Sequence, residues 1–119
     1  MGNIKTFKDI IAWQKAHELA LTVYRLTEKY PKQEMFGLVS QSRRCTVSVP
    51  SNIAEGYSRS TKADCLHFYT IADGSLEELK YQLLLARDLG YISEAAYQKV
   101  DALAGDAGRL LNGWRKTQK

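Results

Sequence analysis

The chain has 119 residues, 45% hydrophobic and 25% charged, with only two prolines. That is the size and composition of one folded domain, and it excludes a disordered or low-complexity chain. Seventeen Lys and Arg against thirteen Asp and Glu give a formal charge of +4, which draws polyanions weakly through counterion release without requiring one as partner. No apolar run approaches the ~20 residues of a membrane span, and Met1-Gly2-Asn3-Ile4-Lys5 lacks a basic-then-apolar leader. A soluble, cytoplasmic protein with no membrane partner is expected.

Apolar spacing predicts four helices. The first starts near Thr6, whose side chain can cap the amides ahead of Asp9, and stops at Tyr30-Pro31, because the residue before a proline is pushed out of the helical region. It carries two rows at three-four spacing: Ile10, Trp13, His17, Ala20, Tyr24 and Thr27 on one side, Ala12, Ala16, Leu19, Val23, Leu26 and Tyr30 on the other. Two rows call for two neighbours.

The second helix is expected from about Glu34 to Tyr57, with Leu38, Ser42, Cys45, Val49 and Ile53 inward and a kink or break at Val49-Pro50. Its opposite face, Gln41, Arg44, Ser48, Asn52 and Glu55, is polar enough to be either a solvated face or a contact surface. Thr61 caps the third helix, which runs to Leu89 with Gly90 as a left-handed stop. Tyr69, Ala72, Leu76, Leu79, Leu83 and Ala86 form its seam, broadened by Leu66, Leu84 and Leu85. Ser93 caps a fourth helix with Ala96, Val100, Leu103, Ala107, Leu110 and Trp114 on one face, followed by a basic, frayed tail from Arg115 to Lys119.

Short connectors force neighbouring helices to run in opposite directions, so the expected fold is all-α, an antiparallel up-down-up-down four-helix bundle forming a single domain over residues 1–119. The second row on the first helix, with Leu21 and Tyr81, leaves apolar surface that favours self-association.

The motifs Phe36-Gly37-Leu38, Ser40-Gln41-Ser42-Arg43-Arg44 and Val47-Ser48-Val49-Pro50-Ser51-Asn52-Ile53-Ala54-Glu55-Gly56 resemble the signature of the bacterial four-helix bundle proteins. This family is also called the S23 ribosomal protein or intervening-sequence protein family. The likeness extends through Phe7, Trp13-Gln14-Lys15-Ala16 and Tyr24, through Gly74-Ser75-Leu76, Glu78-Leu79 and Gln82-Leu83, and through Leu89-Gly90-Tyr91. It implies a bundle that assembles into a ring, typically a pentamer. Some members are encoded within intervening sequences of large-subunit ribosomal RNA genes, and a related retroelement accessory protein is a basic barrel that binds nucleic acid and a reverse transcriptase. Cys45 and Ser51 replace small alanine-like residues of the pattern, and Lys80 replaces a commonly acidic one.

Chemistry and resemblance together nominate Arg43, Arg44, Arg59, Lys62, Lys15 and Arg25 as phosphate-binding groups, since guanidinium forks match phosphate oxygens. The structural alternative pairs Arg44 with Glu55 or with an acidic residue across a subunit boundary. Gln41, Ser48, Asn52, Glu55 and Trp13 are nominated for a subunit interface. Tyr57, Tyr69 and Trp13 have spacings that suit packing better than base stacking.

No catalytic residue, metal site or cofactor is expected. His17 lies on an apolar row, as a core histidine does, and Asp64 with His67 is half of a di-iron pattern whose other half is missing. Cys45 and Cys65 lack ligand spacing and suit small core positions. The sequence therefore reads as a non-enzymatic homo-oligomer that binds RNA or another nucleic acid, or else as a protein-interaction scaffold whose arginines hold the ring together.

Overall fold

A computed structural model describes residues 3–118, so Met1 and Gly2 of the opening segment and Lys119 of the expected tail lie outside the described residues. Thr6 does form the expected capping box, its side chain meeting the backbone while Asp9 reaches back, but the box caps only a 3-10 turn, Phe7–Asp9. Ile10 then turns extended (ψ 120°), and α1 spans Ile11–Thr27. A second 3-10 turn, Lys32–Glu34, precedes α2, Leu38–Tyr57. Glu34 starts that helix: its Oε1 accepts from the Leu38 amide at 3.1 Å, and its Oε2 accepts from the Tyr91 hydroxyl at 2.8 Å. Those two hydrogen bonds hold the Glu34 carboxyl below the ordinary carboxylate range.

Of the kink or break expected at Val49-Pro50, the break does not occur. Helix α2 continues through it to Tyr57, because losing one backbone hydrogen bond is offset by burial of Val49, Pro50 and Ile53. Thr61 and Ser93 cap α3, Lys62–Asp88, and α4, Glu94–Lys116, accepting from the amides of Asp64 and Ala96. Gly90 stops α3 at φ 81°, where its own amide reaches Arg87 O (2.9 Å) and the Tyr91 amide reaches Ala86 O (2.8 Å). This closing pattern needs a residue without a Cβ at the left-handed position. The tail expected to fray is helical as far as Lys116.

Each helix packs on its two neighbours in the cycle α1–α2–α3–α4–α1, and neither diagonal pair comes comparably close. That arrangement is the antiparallel four-helix bundle. The seam on α3 is buried as expected, from Tyr69 to Ala86. On α4 the buried stripe is Tyr97, Val100, Ala104, Ala107, Gly108 and Leu111, turned from the expected row so that Ala96, Leu103, Leu110 and Trp114 sit at its edge. Small residues at 104 and 108 let α4 approach closely; a Cβ on Gly108 would lie 3.3 Å from Leu76.

Candidate functional site

The two rows of α1 have different fates. Ala12, Ala16, Leu19, Val23 and Tyr30 enter the core. The row of Trp13, His17, Ala20 and Tyr24 instead joins Phe7 and Leu21 and faces Val47, Pro50, Ser51 and Ala54 of α2 across an open, apolar groove of about 500 Å³. His17 is exposed there, with its ring stacked on Trp13 (centroids 5.0 Å apart, planes at 9°), so it is not the core histidine its row suggested. Phe7 packs edge-on against the other side of Trp13. Through Tyr24 and Val47 the groove continues into a recess lined by Met35, Phe36, Val39, Ser40, Arg43, Arg44 and Ser48. Phe36 is 93% exposed, an aromatic ring standing almost free in solvent. The sequence marked Phe36 only as part of a motif. The helix expected from about Glu34 would have contained Phe36; the structure instead leaves it in the connector, one residue before the glycine that precedes α2.

The six basic candidates do not converge. Arg43 is half-buried and committed within the chain: Nε donates to Thr27 Oγ1 (2.9 Å), Nη2 donates to Tyr24 O (3.3 Å), and the guanidinium lies 4.5 Å from the Tyr24 ring centre. Arg59 pairs with Glu55 and covers the Phe68 ring. Lys15 pairs with Glu18 (3.4 Å) beside Lys99 on the α1–α4 face, away from the α2–α3 side. Arg25, Arg44 and Lys62 are exposed and have no acidic partner among the described residues. Glu55 is thus engaged by Arg59 and not by Arg44, the intrachain pairing considered from sequence.

Part of the polar stripe of α2 is hydrogen-bonded within the chain. Ser48 and Ser75 share a 2.7 Å hydroxyl hydrogen bond across α2 and α3, and Asn52 Nδ2 donates to Ser48 O (2.8 Å) and Oγ (3.0 Å). One turn earlier, Gln41, Arg44 and Cys45 face Glu78 and Gln82 of α3 across a polar cleft. Gln82 Nε2 donates to Cys45 Sγ (3.4 Å), and that thiol sits 3.9 Å from Glu78 Oε2. Burial, with the Glu78 charge adding to it, pushes the Cys45 thiol up, which disfavours the reactive thiolate. Of the three aromatics weighed for stacking, Trp13 lines the apolar groove. Tyr69 is fully buried, and Tyr57 is half-buried with its hydroxyl donating to Ile4 O (3.2 Å). Lys80 pairs with Glu77 at 2.9 Å.

No three His, Cys, Asp or Glu side chains gather as metal ligands among the described residues. None of the described helices is long and apolar enough to cross a membrane.

The sequence profile described as 23S rRNA-intervening sequence protein matches residues 8–113. The chain belongs to the 23S rRNA-intervening sequence protein family. That bears out the resemblance carried by the Phe36-to-Gly56 motifs. A solved member of the S23 ribosomal protein family, a protein of unknown function from Bacteroides thetaiotaomicron, shares the fold with this family member at a TM-score of 0.84 and 25% identity. The match covers 92% of this chain and 99% of that one. No functionally curated protein matches.

Proposed function

We propose that this member of the family is a non-enzymatic homo-oligomer whose subunits join through the α1–α2 groove, and whose assembly binds RNA. The observation that carries the reading is the groove itself: an apolar surface from Phe7 to Tyr24, extended by an almost fully exposed Phe36, which the chain's own core does not cover. Contiguous apolar surface of this kind, rimmed by charge, is what subunit interfaces offer. Multi-angle light scattering tests it directly. The wild type is expected above monomer mass, and Leu21→Glu with Phe36→Ser is expected to give a folded monomer; a monomeric wild type at tens of micromolar removes the proposal.

The RNA part rests on the net charge of +4, on Arg25, Arg44 and Lys62 being exposed without acidic partners, and on the family's description. Single basic groups on one subunit bind weakly, but copies repeated around an assembly act together on one polyanion. Binding of a short single-stranded RNA that weakens as salt rises supports this part. An assembly that ignores RNA at low salt is instead a protein scaffold.

A further inference from the structure

Arg44 and Glu78 line the same cleft from facing helices, yet they do not pair with each other, and neither has any oppositely charged partner among the described residues. Lys80 is no substitute, because it is held by Glu77. Gln82 lines the same cleft and is only 6% exposed. Its Nε2 is spent on Cys45 Sγ, and its Oε1 is buried without a hydrogen-bond partner. A buried amide oxygen left unpaired costs about 1–3 kcal/mol, and because Gln82 lines an open cleft of about 360 Å³, a turn of its amide toward the cleft would let a ligand that brings an N–H satisfy it.

A complementary ligand must present N–H donors to Glu78 and Gln82 and an acceptor to Arg44. The Watson–Crick edge of guanine has that order: two adjacent donors, N1–H and the N2 amine, beside the acceptor O6. Adenine presents a different edge, with one amine and an acceptor where guanine has N1–H. We propose that the α2–α3 cleft reads an unstacked guanine of single-stranded RNA, with Glu78 and Gln82 accepting from the base and Arg44 donating to O6. The proposal rests on the RNA reading above and adds to it a position at which the sequence of the RNA matters.

The test is fluorescence anisotropy at low salt with labelled uridine hexamers carrying one central guanine, inosine or adenine. Guanine is expected to bind roughly tenfold more tightly than adenine, the scale of one good base-edge pairing, with inosine, which lacks the N2 amine, between them. Glu78→Gln, at an exposed position and checked for unchanged helicity, should weaken guanine binding and shrink its preference over adenine, the contact of Arg44 with O6 remaining. Equal affinity of the wild type for the three hexamers, or a guanine preference undiminished in Glu78→Gln, overturns the pocket while leaving RNA binding intact. Failure to bind any hexamer overturns both.

Discussion

Near the end of α2, Gly56 is buried against the ring of Tyr69, and a Cβ placed on it would lie 2.5 Å from Tyr69 Cε1 and 2.9 Å from Cδ1. Tyr69 is fully buried and packs edge-on against Trp114 with centroids 6.4 Å apart, so the ring has little room to retreat. Alanine in place of a helical glycine gains at most about 1 kcal/mol, whereas forcing a methyl group into a filled core costs about 1–3 kcal/mol. Gly56→Ala is therefore expected to destabilise the protein by about 1–2 kcal/mol. Gly74 and Gly113, also helical, have no neighbouring atom within 4 Å of the corresponding Cβ, so Gly74→Ala and Gly113→Ala are expected to stabilise by up to about 1 kcal/mol. Urea unfolding followed by circular dichroism, at one protein concentration for all variants, should show opposite signs, and thermal midpoints should separate Gly56→Ala from the other two by roughly 8 °C. If Gly56→Ala proves as stabilising as Gly74→Ala, the notch in α2 is not a packing constraint and the account of Tyr69 as a fixed core element is wrong.

Arg43→Ala should destabilise the fold by about 1–2 kcal/mol, because it removes a hydrogen bond to Thr27 and the contact with the Tyr24 ring; the exposed Arg44→Ala should stay within about 0.5 kcal/mol, and equal effects in urea titrations would contradict this division of roles. Tyr30 is buried with its hydroxyl unpartnered, and burial pushes its pKa up to about 12. Because the folded value lies above the unfolded one of about 10, the contribution of the neutral phenol is complete below about pH 10 and lost as pH rises through 12. Tyr30→Phe should blunt that alkaline loss and match or slightly exceed wild-type stability at neutral pH, read from midpoints measured between pH 8 and 12.

Four helices in cyclic order were legible because their seams repeat at helical spacing and their stops, Gly90 above all, have a local physical cause. The first helix was placed five residues too early because Thr6 and Asp9 form a genuine capping box, and a cap cannot reveal that Ile10 will turn extended after a single turn. At Pro50 the helix is not broken, since tertiary burial offsets the local penalty. The α4 stripe was rotated because Ala104 and Gly108 carry too little apolar weight to register as core, although their smallness is what lets the helix approach. Of the candidate site, Trp13 lines the groove and Arg44 is exposed, whereas Arg43, Arg59 and Lys15 found partners within the chain. Their partners Tyr24 and Thr27, Glu55 and Phe68, and Glu18 were all visible in the sequence, but long flexible side chains choose among such neighbours only once the helices have docked. The facing of Arg44 and Glu78, 34 positions apart, depends on the register between α2 and α3, which no local signal fixes.

The split fate of the two rows on α1 separates two equilibria. Because Ala12, Ala16, Leu19 and Val23 complete the interior with Trp13 packed at its edge and without help from His17 or Leu21, the free subunit is not a half-built core waiting for a neighbour. Any association through the groove then follows mass action on an already folded chain, so dilution would release intact subunits instead of unfolding them, and the extent of assembly would track how much of the protein a cell makes.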